Sequence, residues 1–336
     1  MSQPAPGATV TSPGGQRRRA LTKRLLLLPE ISGIVLLVLV TTGFAIVAPA
    51  FLSMRSVVNI LNIMPELGLV ALGTTILIIA GEFDLSVGSV FALVPMVMLW
   101  LVNLGVPPAA AMALSLIVGM AIGAANGYIT LHFAIPSFIT TLGMLFIARS
   151  LAVILSNLAP PAFPPGMPVD FLVARIDRFQ VSVIWLLVIC VVAAVILHRT
   201  KIGNWIYATG GAQQAARDMG INTRAVKLSC FAACSLLAGF AGMIQTFRMQ
   251  APMASAGDGI ELQAIAGAVI GGTALTGGVG SVLGALLGTI LLRVIDTGMT
   301  MSRVDANWFQ LAIGVLTVLS VVVNVVIRGR AARMRA

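Results

Sequence analysis

The chain has 336 residues, 58% hydrophobic side chains, 34 glycines and only 10% charged side chains, far from the roughly 25% charge of a soluble domain. That balance excludes an ordinary cytoplasmic enzyme, a disordered chain and a fibrous one, and a mean hydropathy of +1.02 leaves lipid as the medium for its surface. The net charge of +10 reads as membrane topology rather than nucleic-acid binding, because basic residues gather at the two ends and in one loop.

Residues 1–16 are rich in Ser, Gly, Pro and Gln and are expected to be disordered. With Arg17, Arg18, Arg19, Lys23 and Arg24 they make a basic cytoplasmic tail over 1–28. Pro29 stops a short apolar run, and 31–49 follows as a first span. No convincing small-residue cleavage site comes after it and another span starts soon, so it is read as retained rather than as a signal peptide. Further spans are predicted at 67–81, 88–104, 109–131, 136–156, 180–198, 226–248, 261–276, 281–299 and 306–327, the second and eighth short or glycine-interrupted. The fold class is an all-α polytopic membrane protein of about ten transmembrane helices, some broken or short. It forms one transmembrane domain over 29–327 and a basic cytoplasmic tail over 328–336. With the amino terminus inside, the inside segments hold 14 of the 21 Lys and Arg residues. The other seven, Arg248 and Arg293 among them, are placed outside or near span ends, and the bias supports an even count with both termini cytoplasmic.

Two loops are long. Residues 157–179, predicted outside, contain Pro160, Pro161, Pro164, Pro165 and Pro168, which suits a stiff extended cover. Residues 199–227, predicted inside, contain good helix formers over 212–219 between Gly211 and Gly220. A short surface helix there is either a solvated linker or a docking element, and docking is the favoured reading.

The stretch Gly81-Glu82-Phe83-Asp84-Leu85-Ser86-Val87-Gly88-Ser89 places two carboxylates and two hydroxyls between spans that leave little loop. A charge at the bilayer centre costs about 2.5–3.5 kcal/mol on insertion scales. The stretch therefore either lines a polar path or makes a tight cytoplasmic turn in which Asp84 caps the next helix; the two are compatible. A second break runs from Gly271 to Ser281 and includes Thr273 and Thr276; both breaks end in Gly-Ser-Val before an apolar span. Interrupted spans in corresponding positions point to a transport path. Neither glycine cluster precedes a lysine, so the chain carries no phosphate loop.

His132 and His198 fall near span ends. Asp296, the clearest intramembrane acid, sits one turn from Arg293 and reads as half of an ion pair. Cys190, Cys230 and Cys234 lie in apolar runs and read as packing residues rather than as metal ligands or a disulfide framework. No catalytic constellation stands out, and no metal site is expected.

Five ordered segments carry a family resemblance. GEFDLSVGS resembles the DLSVGS signature of ribose-type permeases, the membrane subunits of bacterial sugar importers of the ATP-binding-cassette class. FLSMRSVVNIL, IPSFITTLGMLFIARSLA, YATGGAQQAARDMGINTRAVK and GIELQAIAGAVIGGTALTGGVGSVLGA are similar to further segments of that family, and the likeness covers most of residues 45–327. Branched-chain amino-acid permeases have Asn-Leu-Ala where this chain has Asp84-Leu85-Ser86. Glu82 stands where glycine is usual in the sugar permeases.

The resemblance implies a permease subunit in the bacterial inner membrane that imports a monosaccharide or related polyol by alternating access. It would pair with a second copy or a homologue and would be driven by two cytoplasmic ATPase subunits. A periplasmic binding protein would supply the solute. ATP would be used by the partners, with no cofactor held by this chain. The substrate-path candidates are Glu82, Asp84, Ser86, Ser89, Thr273 and Thr276, and the ATPase-coupling candidates are Gln213, Gln214, Arg217, Asp218, Asn222 and Arg224. The alternatives are a nucleoside or other small polar cargo, and a cation-coupled secondary transporter. The latter would need ionisable groups inside the membrane.

Overall fold

The computed structural model describes residues 30–156, 163, 164, 166–305, 308–319 and 322. The tails 1–28 and 328–336, and Pro160, Pro161 and Pro165 of the proline-rich loop, lie outside the described residues.

The described residues are mostly helical. The order is α1 (Glu30–Val47), a 3-10 turn (Pro49–Leu52), α2 (Met54–Ile79), α3 (Val87–Asn103), α4 (Pro108–His132) and α5 (Ser137–Leu155). A short helix α6 (Asp170–Val173) and the hairpin β1 (Arg175–Ile176) and β2 (Phe179–Gln180) follow. After them come α7 (Val181–Arg199), α8 (Lys201–Gly211), α9 (Gln213–Asp218), α10 (Thr223–Met249), α11 (Ile260–Ile270), α12 (Val282–Met301) and α13 (Trp308–Leu319). Six of these helices are long and apolar enough to cross a membrane, and α1, α3, α11 and α13 are shorter apolar helices.

Helices α2 and α10 form the centre. From Met64 to Ile79, α2 is buried on nearly all sides, Glu66, Thr74 and Thr75 included. Helix α10 meets α4 along a seam of small residues. A side chain at Gly123 would strike the carbonyl oxygen of Phe231, and one at Gly127 would crowd Leu228 and Phe231. Glycine at this spacing lets two helix backbones approach closely, so dispersion contacts replace the hydrophobic drive that lipid cannot supply. By contrast α5 and α7 expose Phe146, Ile147, Ile154, Val191 and Val192. These are the faces left for lipid or for another apolar surface.

The second span is longer than the sequence reading placed it. It starts at Met54 rather than at 67, with Ser53 accepting a hydrogen bond from the Ser56 amide as its cap. Pro65 and Glu66 depress the local hydropathy, yet the helix runs through both. The eighth span is shorter than predicted, because α11 ends at Ile270 and the glycine break follows at once.

Candidate functional site

Helix α10 serves as a ruler. Lys227, Ser235 and Arg248 stand along it, and at 1.5 Å per residue Ser235 lies about 12 Å and Arg248 about 32 Å from Lys227. Each meets an acid of the first half of the chain. Lys227 pairs with Glu82 at 2.7 Å, Ser235 donates to Asp84 at 3.2 Å, and Arg248 pairs with Glu66 at 2.6 Å.

The first break is therefore not a tight turn at the end of the bundle. At Gly81, where φ is +86°, the chain leaves α2 and runs unwound back between the helices. The Phe83 amide donates to the Ser137 hydroxyl at the start of α5, and the Ser89 hydroxyl donates to the carbonyl of Leu145, about 12 Å further along α5. Helix α3 thus begins well inside the bundle. Asp84, Ser86 and Ser89 are each fully buried. The Asp84 carboxylate accepts from the Ser86 amide at 2.8 Å and the Ser86 hydroxyl at 2.6 Å. It also accepts from Asn126 of α4 at 3.4 Å and from Ser235. Asp84 thus holds the turn one residue before α3 through Ser86, whose own side chain makes no capping bond to the helix. Glu82 is half-buried at the mouth of the stretch.

The second break carries no charge. Thr273 is buried, and its hydroxyl has no hydrogen-bond partner among the described residues, whereas Thr276 is exposed. Ser281 caps α12 by accepting from the Gly284 amide at 3.0 Å. Helices α11 and α12 then pack backbone to backbone, because side chains at Gly267, Gly271, Gly284 and Gly288 are all absent. One on Gly271 would overlap the Gly284 carbonyl.

Both breaks meet at one junction, and the cytoplasmic-loop candidate segment closes it. The Gly278 amide donates to the Ile79 carbonyl at 2.9 Å. Gly210, near the end of α8, lies so close that a Cβ there would overlap that same Ile79 carbonyl oxygen. A Cβ on Gly277 would come within 2.7 Å of the Gly210 oxygen and 3.1 Å of the Gly81 Cα. The Tyr207 hydroxyl donates to the Gly280 carbonyl at 2.8 Å. Immediately beyond, Ala212 turns out of helical geometry and α9 follows as the expected short helix, ended by Gly220 at φ +83°. On it Gln213 is half-buried, while Gln214, Arg217 and Asp218 are exposed, as are Asn222 and Arg224 beyond it. Gln214 donates to Asp218 at 3.0 Å, Arg217 donates to the Thr223 hydroxyl at 3.0 Å, and Asn222 caps α10 through the Ala225 amide at 3.1 Å. The structure thus gathers Glu82, Thr273, Thr276 and Gln213 around the junction. It holds Asp84, Ser86 and Ser89 deeper, and turns Gln214, Arg217, Asp218 and Arg224 outward.

Sequence reasoning missed a charged cluster at the Arg248 end. Glu66 is 3% exposed, so a second acid lies within the spans besides Asp296. Arg293, counted with the span ends, stands in the body of α12 and faces Asp296 at 3.5 Å. These four residues, with Gln245 and Gln263, line a cleft of about 300 Å³. Through Ile63 and Asp296 it adjoins a larger cavity of about 1040 Å³, lined by Arg55, Asn62, Arg175 and Arg178. The Glu66–Arg248 spacing of 182 residues leaves no local signal. A buried acid in an apolar helix requires a partner of opposite sign, and that requirement was the available clue. Arg149 was missed in the same way. It donates to the carbonyls of Ala254 and Ala256 at 2.6 and 2.8 Å and pairs with Asp258 at 2.8 Å, fastening the loop before α11 to α5.

Broken apolar helices meeting at a polar, glycine-packed junction under a helical loop define a multi-pass transport subunit. Comparisons with known proteins give the family. Residues 56–321 match the family described as branched-chain amino acid transport system / permease component. The ribose import permease protein RbsC of Escherichia coli strain K12 is 33% identical over 319 residues, covering 91% of this chain and 96% of its own. The fructose import permease protein FruG of Bifidobacterium longum is 34% identical, covering 76% and 78%. The autoinducer 2 import system permease protein LsrC of Photorhabdus laumondii is 30% identical, covering 83% and 84%. No solved structure matches. The chain belongs to this permease family of ATP-binding-cassette importers, on the ribose-type side that its five motifs implied.

Proposed function

We propose that the protein is the membrane subunit of an importer that carries a monosaccharide or related polyol across the bacterial inner membrane by alternating access. The observation that carries the reading is the junction of Gly81, Gly210 and Gly277, which puts the cytoplasmic loop in backbone contact with both broken spans. The ribose and fructose permeases among its relatives favour a sugar as cargo. In this reading the chain crosses the membrane ten times, with both termini in the cytoplasm, and forms a dimer with a second copy or a homologue. The solute pathway runs beside the two breaks. Glu82 and Thr276 stand on its wall, and Asp84, Ser86, Ser89 and Thr273 lie behind them and fix the wall's shape.

Helix α9 docks on the ATPase subunits through Gln214, Arg217, Asp218 and Arg224, with Gln213 and Asn222 holding its two ends. ATP is bound and hydrolysed by those partners, and a periplasmic binding protein delivers the sugar.

The test is uptake of labelled ribose, fructose and a panel of related sugars and nucleosides into membrane vesicles. The ATPase and binding protein are present or absent, and the proton gradient is intact or collapsed. The expected result is sugar uptake that requires ATP and both partners and survives loss of the gradient. Deleting Gln213–Asp218 is expected to leave the protein inserted while ATP hydrolysis no longer drives uptake. The buried Glu66–Arg248 pair is the kind of intramembrane ionisable group a cation-coupled carrier would use. Uptake by this chain alone, abolished by collapsing the gradient, would replace the importer with that mechanism.

A further inference from the structure

We propose that Lys227 is the positioning residue that ties the docking helix α9 to the first membrane break, so that movement of α9 is passed directly to Glu82. The inference rests on the reading that α9 meets the ATPase subunits.

Lys227 belongs to the first turns of α10, yet its side chain is only 7% exposed. A buried ammonium must be neutralised and hydrogen-bonded to be tolerated. Here two groups do it. Glu82 at the mouth of the unwound stretch accepts at 2.7 Å, and the side-chain oxygen of Gln213, the first residue of α9, accepts at 3.1 Å. One buried charge therefore joins α9 and α10, which are neighbours in sequence, to the unwound stretch 145 residues away. Its two acceptors differ in kind. The Glu82 bond is an ion pair in a site largely shielded from water, while the Gln213 bond runs from the same ammonium to an uncharged amide oxygen and is longer and weaker. A displacement of α9 thus pulls on Lys227 without first breaking its grip on Glu82.

The unwound stretch is fastened to α10 at a second point. Asp84, two residues on from Glu82, accepts from Ser235, about 12 Å further along the helix. That deeper bond has no contact with α9. A force arriving through Lys227 therefore acts on the Glu82 end while the Asp84 end stays fixed, and the chain between them bends at Phe83. The Gly210–Ile79 contact leaves no room for a side chain, so the same movement reaches the end of α2 without slack.

The experiment uses the complete complex of permease, ATPase and binding protein in liposomes. The ratio read is uptake per ATP hydrolysed, for whichever labelled sugar of the ribose–fructose panel the wild-type complex takes up fastest. Lys227→Met keeps the chain length and removes the charge. Expected are near-normal membrane insertion and ATPase co-purification, within twofold of wild type, and at least a tenfold fall in the ratio. Glu82→Gln is expected to lower it less. The exchange variant Glu82→Lys with Lys227→Glu is expected to recover the ratio to within about threefold of wild type, which a general packing defect would not do. An unchanged ratio in Lys227→Met overturns the proposal. If Lys227→Met does not assemble, Gln213→Ala decides, because it cuts only the α9 arm: a threefold or larger fall supports the link and no change overturns it. Wild-type uptake that needs no ATPase is a separate result. It removes the importer reading itself, and the inference with it.

Discussion

The two membrane breaks share the tail Gly-Ser-Val, yet the first tail lies inside the first turn of α3 and the second opens α12, and they are held by different physics. In the first, a buried carboxylate organises the chain. Asp84 holds the turn before α3 through the Ser86 amide and hydroxyl, and Ser89, inside the first turn of α3, bonds the Leu145 carbonyl on α5. In the second there is no charge, and Ser281 itself takes the capping role, with glycine backbones in contact supplying the rest. A hydrogen-bonded network is directional and leaves unsatisfied groups if it shifts, so the Asp84 network fixes the deep end of the first break. The second break is held instead by close glycine packing and by the Gly278–Ile79 and Tyr207–Gly280 bonds.

The largest expected effect comes from Gly210, which touches both breaks. Gly210→Ala should push its methyl into the Ile79 carbonyl, and backbone cannot yield as a side-chain end would. Folded protein extracted from membranes should fall about tenfold, equivalent to roughly 1.4 kcal/mol or more. Gly43→Ala, which meets nothing within 4 Å, should match wild type. Equal yields for both would mean that the junction is looser than the geometry shows.

Next in size is Asp84→Ala, which breaks the first site alone. It leaves the donors of Ser86 and Ser235 without their acceptor, at about 1–3 kcal/mol for each group left unsatisfied, while Asn126 keeps its bond to the Ser86 hydroxyl. Assembly and uptake should fall together, measured as thermal midpoint and sugar flux in the same preparation. A flux loss much larger than the loss of assembly would instead put the carboxylate in direct contact with the solute.

Thr276→Val separates wall from support. The side chain is exposed, so the thermal midpoint should stay within about 1 °C, corresponding to under 0.5 kcal/mol. The half-saturating sugar concentration should rise several-fold if the pathway passes there, and an unchanged value would move the wall elsewhere.

The smallest effect is expected at Thr273. Its buried hydroxyl has no partner among the described residues, so Thr273→Val should be neutral or stabilising by up to about 1 kcal/mol. A clear loss of stability in a thermal melt would show that the hydroxyl is satisfied in the assembled protein.

Much of this was legible in the sequence. Hydropathy placed the apolar helices within a few residues, except where Pro65 and Glu66 hid the first half of α2. The run Gln213–Asp218 was legible as a helix because good helix formers stand between glycines. The motif GEFDLSVGS announced a polar break, but its depth was hidden, because depth depends on which residues of α5 and α10 it meets. The Glu66–Arg248 and Lys227–Glu82 pairs were invisible for the same reason. Their partners are separated by 182 and 145 residues, and no periodicity reaches that far.

The sequence by itself determined the solvent, the secondary structure and the family, since each follows from local composition, from spacing, or from motifs read in order. The tertiary structure alone decided which charges are neutralised, which glycines are contact points rather than hinges, and where the two breaks meet. Those outcomes depend on distances between segments, and a buried charge or a missing Cβ acquires its meaning only from what stands opposite it.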